Sequence, residues 1–299
     1  MTKYFIDLGS STIKVYEYKN ELVLLEEHSI YFKNGYTDEF GINEATKLEL
    51  TDYIRMIKDE YNLEYENTNI FATGIFRNLE ERFKREMILL FKESFDLHLE
   101  IISHGLENYY LGKALENDYQ SKKVMVINMG GKTTEIVTID QNRIVERFNL
   151  QIGVAELLNR FPEVNNSYSK VSIESMNQFV KEAIADVTFD TDYDCAIFTG
   201  GEERFEKLTK YPLIENSLFH DGIHKYMISL DDYKKATERV FFEMTLNELY
   251  SLMPQNPKWM DGARPGAILP LAIFEKANIP YIVPSDLNLI HGVINDMRG

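Results

Sequence analysis

The chain has 299 residues, 44% of them hydrophobic and 27% charged, which is enough for two ordinary domains with a core in each. A formal net charge of −16 argues against general binding to DNA, RNA or an anionic membrane, since both rest on basic surface. No apolar run reaches the roughly 18 residues that span a bilayer, and Met1-Thr2-Lys3-Tyr4 leads straight into a strand, so a cytoplasmic protein is expected.

In chain order, Tyr4-Phe5-Ile6-Asp7-Leu8 forms an apolar strand that turns through Gly9-Ser10-Ser11 into a second strand, Thr12-Ile13-Lys14-Val15. Glu21 to Tyr31 reads as a third strand, and Tyr36 to Gly41 as a loop. Between Asn43 and Tyr61, Leu48, Leu50, Ile54 and Ile57 recur at helical spacing. Asn69 to Thr73 is a short buried strand, Gly74 to Asn78 a connection into an amphipathic helix ending near Lys92, Leu97 to Ile102 a strand and Glu107 to Glu116 a helix.

The second half opens with Val124 to Ile139, which repeats the first hairpin through Gly130-Gly131-Lys132-Thr133-Thr134, and continues with Ile144 to Leu150 after a turn at Asp140-Gln141-Asn142. Helices follow at about Gly153 to Arg160 and Ile173 to Ala185. The strand Asp194 to Thr199, which holds the lone Cys195 as an expected packing residue, ends at Gly200-Gly201. Leu230 to Met253 reads as helical, as does Asp261 to Ala277 despite Pro265 and Pro270. Ile279 to Pro284 is a final strand and Leu287 to Met297 a final helix. This order predicts an α/β protein with mixed sheets. The expected domains are residues 1–118, with 286–299 packing back on them, and 119–285.

The repeated hairpin is the chief functional signal. Glycine and small hydroxyl residues at a turn let backbone N–H groups point outward together, which suits phosphate oxygens, and a carboxylate before the turn, here Asp7, can hold a cation against them. The candidate phosphate-binding residues are Ser10, Ser11, Thr12, Lys14, Gly130, Gly131, Lys132, Thr133, Thr134, Gly200 and Gly201, with Asp7 on the cation side and Glu135 either a second carboxylate there or only a strand-edge acid. Arg77 and Glu107 also have plain readings: Arg77 pairing with Glu80 or Glu81, and Glu107 as a first-turn helix acid. His220 and His224 read as loop histidines.

With both hairpins in view, the chain resembles the exopolyphosphatase and guanosine pentaphosphate phosphohydrolase family of the actin, Hsp70 and sugar-kinase superfamily. Asp7 to Lys14 looks like its first phosphate loop, Ala72 to Asn78 the segment that carries an arginine, Ile101 to Glu107 the segment of the catalytic glutamate, Asn128 to Glu135 the second loop, Gly153 to Leu157 the following helix start, and Thr199 to Gly201 the later glycine turn. Arg264 and Leu289 to Gly292 fit its closing elements.

The resemblance implies two actin-like ATPase (ribonuclease H-like) domains with mixed five-stranded sheets and an interdomain cleft. It implies removal of terminal phosphate from inorganic polyphosphate or guanosine pentaphosphate (pppGpp) with Mg²⁺ or Mn²⁺, Glu107 acting as base toward water and Arg77 clamping phosphate, in a chain that could form a homodimer. The chain departs from the family pattern where Asn128 replaces Asp, Lys132 replaces Gly, a single acid stands at Glu107, and Pro265-Gly266 follows Arg264. Lys132 could partly replace the metal's charge in an active enzyme. Alternatively, the site binds a phosphorylated ligand as a sensor. An actin-like filament ATPase shares the hairpins but fits the Arg77 and Glu107 segments less well.

Overall fold

The structure is a computed structural model that describes residues 2–37, 39–115, 122–141, 143–165, 170–190, 192–218 and 223–298. The chain divides into two compact units, Met1–Glu107 and Asn108–Gly299.

The first unit begins with strands β1 (Lys3–Leu8), β2 (Thr12–Tyr18) and β3 (Leu22–Ser29), then a small ribbon of β4 (Tyr36–Thr37) and β5 (Gly41–Ile42). Helix α1 (Glu44–Tyr61), strand β6 (Thr68–Ala72), helix α2 (Glu81–Phe95) and strand β7 (Leu99–Ile101) follow. Its sheet has five strands in the order β3-β2-β1-β6-β7. Strand alternation puts Ile6, Leu8, Ile13 and Val15 into one core with Leu50, Ile54 and Ile57 of α1 and Met87, Phe91 and Phe95 of α2. Asn43 starts α1 by accepting the Thr46 N–H at 2.9 Å, and left-handed Asn62 ends it. Glu26 of β3 receives the hydroxyls of Tyr53 (3.1 Å) and Tyr61 (2.9 Å), which pins α1 to the edge strand.

Helix α3 (His104–Ala114) contains the division between the units. The second unit continues with β8 (Lys123–Met129), β9 (Thr134–Asp140), β10 (Arg143–Leu150), α4 (Val154–Arg160), α5 (Lys170–Ala183), β11 (Cys195–Thr199) and α6 (Glu202–Leu208). Then come β12 (Ile214–Glu215), β13 (Tyr226–Ser229), α7 (Leu230–Phe242), α8 (Leu246–Leu252), α9 (Ala263–Lys276), β14 (Tyr281–Ser285) and α10 (Leu289–Arg298).

The five strands expected in this sheet are present in the order β10-β9-β8-β11-β14, and the short β13 and β12 extend it to seven. Those two carry too few residues to show a period in the sequence. The stretch expected to be helical from Leu230 to Met253 is two helices, because Thr245 and Glu248 form a reciprocal capping box that starts α8. Helix α9 keeps its course because Pro265 lies in its first turn, where no intrahelical N–H bond is lost, and its apolar residues are buried around Pro270. Gly292 lets α10 cross α3 backbone to backbone, since an added Cβ would lie 1.8 Å from the Tyr110 carbonyl oxygen. Cys195 is fully buried, and burial pushes its thiol pKa up, as a packing residue requires. Among the described residues, no helix is long and apolar enough to cross a membrane.

Candidate active site

The two hairpins close on the same hydrogen bond. In the first, the Gly9 N–H donates to the Thr12 carbonyl at 3.0 Å; in the second, the Gly130 N–H donates to the Thr133 carbonyl at 2.8 Å. A Gly-x-x-Thr spacing therefore produces one turn twice, each between antiparallel strands, β1–β2 and β8–β9.

Their supports differ. Ser10, nearly buried, accepts the Ile75 N–H on its Oγ at 2.8 Å, so this hydroxyl is tied to the backbone of the following segment. Gly74, at φ 55°, makes room: a Cβ there would lie 2.0 Å from the Ser10 Oγ. In the second loop, the Gly130 and Gly131 carbonyls accept N–H bonds from Val154 (3.0 Å) and Ala155 (2.8 Å) in the first turn of α4. A Cβ on Gly153 would lie 2.4 Å from the Gly130 oxygen. Thr134 is fully buried and its hydroxyl donates to the Ile152 carbonyl at 2.7 Å, so this predicted phosphate donor is engaged within the unit.

Two residues past Ile75, Arg77 reaches Glu107 rather than its helix neighbours. Its Nη1 lies 2.5 Å from Glu107 Oε2, with side-chain exposures of only 10% and 9%. Glu80 and Glu81, the partners that a plain surface reading would give it, pair instead with Arg82 (2.9 Å) and Lys84 (2.8 Å). Arg77 Nη1 also approaches the Ile102 carbonyl at 3.4 Å. Glu107 lies in the first turn of α3, and His104, three residues earlier on the same face, brings a ring nitrogen within 4.8 Å of its carboxylate. The hydrogen bonds thus run from the first loop through Ser10 and Ile75 into the segment carrying Arg77, and from Arg77 to Glu107.

Strand register adds a residue that the sequence did not single out. Asp7 on β1 stands directly opposite Lys14 on β2, and Lys14 directly opposite Glu27 on β3, so the three side chains share one face of the sheet. Burial pushes the Asp7 carboxyl up, to about 6; Lys14 pulls it down and Glu27 pushes it further up. A carboxylate offers the oxygen ligands that a hard divalent cation takes, so the side chain of Asp7 suits one. The equivalent row in the second sheet is Asn128 on β8, Glu135 on β9 and Asn149 on β10. Glu135 there is 1% exposed, and Asn149 accepts an Asn108 amide hydrogen at 3.2 Å.

The remaining candidates each have a place within their own unit. The Ser11 backbone carbonyl accepts the Ile30 N–H at 3.1 Å, and Thr133 is buried. Lys132 is partly buried at the tip of the second loop. Gly200 and Gly201 have φ of 118° and 116°, the left-handed backbone that only glycine takes easily, at the start of α6. Thr199 and Asn128 are register partners on β11 and β8, joined by a 3.5 Å hydroxyl–amide contact. Arg264 is 1% exposed and directs its guanidinium to Phe241 O (3.4 Å), Asn165 Oδ1 (3.2 Å) and Met244 O (2.6 Å), which makes it a core brace within its unit. His220 lies outside the described residues; His224 is buried, with Nε2 3.0 Å from the Ser285 hydroxyl.

Solved structures share this fold. A Ppx/GppA family member from Aquifex aeolicus has a TM-score of 0.69 at 19% identity, over 100% of this chain and 97% of that one. An exopolyphosphatase from Cytophaga hutchinsonii has a TM-score of 0.76 at 16% identity, over 99% and 97%. An exopolyphosphatase-like protein has a TM-score of 0.73 at 17% identity, over 99% and 98%. The fold is accordingly the two-domain actin-like α/β fold that the resemblance implies. Among curated proteins, none matches the chain by sequence. The model of the Ppx/GppA phosphatase family matches residues 19–299, nearly the whole length, and the chain belongs to that family.

Proposed function

We propose that the protein is a phosphohydrolase that removes terminal phosphate from inorganic polyphosphate or guanosine pentaphosphate with the help of Mg²⁺ or Mn²⁺. The observation that carries this reading is the buried Arg77–Glu107 pair, connected through Ile75 and Ser10 to the first loop. Hydrolysis of a phosphoanhydride needs its charge neutralised, its chain held in line and a water oriented, with little covalent work for the protein. Arg77 turns part of its guanidinium to a phosphate oxygen while Nη1 keeps Glu107 in place, and Glu107 takes the proton of the attacking water. Backbone N–H groups and hydroxyls of the first loop hold the neighbouring phosphates, and the second loop, with Lys132, offers donors of the same kind. Asp7 in the first unit and Glu135 in the second each offer a carboxylate to a divalent cation, which supplies positive charge against the phosphate oxygens. The family membership and the exopolyphosphatase among the similar structures support polyphosphate as the substrate class.

A second reading, a phosphate-ligand sensor with weak turnover, is favoured by Asn128 and Lys132, where the family has a carboxylate and a glycine. Phosphate release from polyphosphate, guanosine pentaphosphate and ATP, with Mg²⁺ or Mn²⁺, separates the two when wild type is compared with Glu107→Ala. Release by wild type that exceeds the variant supports the enzyme. Equal release on every substrate, with tight binding retained, replaces it by the sensor.

A further inference from the structure

Glu27 lies outside every motif of the sequence, yet the sheet sets it in line with Asp7. The register Asp7–Lys14–Glu27 crosses three neighbouring strands, so one ammonium stands between two carboxylates on a single face. All three are partly buried, which reduces screening by water. Lys14 was expected to serve phosphate, but its neighbours are these acids. The adjoining residue of β3, Glu26, points the other way and is engaged by Tyr53 and Tyr61, so Glu27 alone on this strand faces Lys14.

We propose that Glu27 is a positioning residue for the cation-holding carboxylate Asp7: by sharing the Lys14 ammonium, it leaves the row one net negative charge, which Asp7 presents to a divalent cation. Without Glu27 the row is a neutral Asp7–Lys14 pair with little attraction for a cation. Without Lys14 two carboxylates face one another and attract a cation more strongly. The second sheet reaches the same net charge by a different route, with Glu135 between Asn128 and Asn149. The inference rests on the reading of Asp7 as a cation ligand.

The test is Mn²⁺ binding by the full chain, followed by calorimetry and by the electron paramagnetic resonance of free Mn²⁺, without substrate. Asp7→Asn identifies the site as the binding that this change removes. At that site Glu27→Gln should weaken Mn²⁺ about tenfold, Lys14→Met should tighten it about tenfold, and the double variant should return within about threefold of wild type. Glu27→Asp, which keeps the charge, should keep the affinity. A row that only braces the sheet would shift Tm in these variants and leave Mn²⁺ affinity unmoved. That outcome, with Asp7-dependent binding intact, overturns the role of Glu27 alone. Mn²⁺ binding that is the same in wild type and Asp7→Asn overturns the cation reading of Asp7 itself.

Discussion

The first and second hairpins share a turn, closed by Gly9 on Thr12 and by Gly130 on Thr133, but a side chain ties the first to Ile75, whereas backbone carbonyls tie the second to α4. Ser10 Oγ fixes the first loop to Ile75, whereas the carbonyls of Gly130 and Gly131 fix the second to the start of α4. The charged rows beneath them differ in the same spirit: Asp7, Lys14 and Glu27 against Asn128, Glu135 and Asn149. Turn geometry needs only the local spacing of glycine and threonine, so it repeats. Support and charge come from neighbouring elements, so each half has solved them separately.

If the first unit carries the water-activating chemistry, Glu107→Gln should lower phosphate release by roughly 10²–10⁴-fold, the range for loss of a general base. Lys132→Gly, which gives the second loop the family's glycine, should act mainly on KM. Steady-state kinetics on polyphosphate decide this, and a larger kcat loss from Lys132→Gly than from Glu107→Gln breaks the asymmetry.

The two anchors should differ in whether they can be relieved. Gly153→Ala forces a Cβ to 2.4 Å from a backbone oxygen and should cost roughly 2–4 kcal/mol of stability. Gly74→Ala meets the Ser10 hydroxyl and a positive φ, at a cost of roughly 2–3 kcal/mol. Adding Ser10→Ala should recover about 1 kcal/mol for Gly74→Ala and nothing for Gly153→Ala, because only the first clash is with a side chain. Urea unfolding of wild type, the three single variants and the two double variants measures both cycles, and equal recovery would remove the distinction.

Asn128→Asp tests the rows. It places a second carboxylate opposite buried Glu135 and should destabilise the metal-free protein by about 1–2 kcal/mol, with Mn²⁺ restoring part of the loss. A variant that is destabilised equally with and without Mn²⁺ would show that the row has no use for a cation.

A last prediction concerns a second carboxyl raised by burial, far from either row in the sequence. Glu206 on α6 is 1% exposed; burial, then Glu202, Glu203 and Asp286, push its pKa well above the usual carboxylate value. Its folded pKa exceeds its unfolded one, so its contribution is fully present below about pH 4.5, the usual value for such a group, and is lost as pH rises toward the folded pKa. Glu206→Gln should therefore have a Tm above that of wild type at pH 8, with the gap closing toward pH 4. A constant gap across that range would show that packing, rather than ionisation, distinguishes the two.

Much of the fold could be read from residue spacing. The hairpins, α1 with Leu50, Ile54 and Ile57, and the buried strands β6 and β11 all carry strong local periods. The break between α7 and α8 was also written locally, in Thr245 and Glu248, but the continuing apolar pattern on both sides masks it. Strands β12 and β13 are too short for a period; β13 pairs with the edge of β14, and β12 with β13. At the site, Arg77 and Glu107 stand out by their place in a family pattern, but their pairing across 30 residues does not, and neither does Glu27, whose partner is chosen by strand register.

The sequence by itself determined the two Gly-x-x-Thr turns, the order of the longer strands and most of the helices, and the family, because these depend on contacts within a few residues or on patterns spread along the whole chain. Only the tertiary structure decided which atoms hold each loop, that Arg264 is a core brace, and that Lys14 lies between Asp7 and Glu27. Those outcomes depend on register and on long-range packing, where one residue's displacement along a strand would turn every side chain to the opposite face.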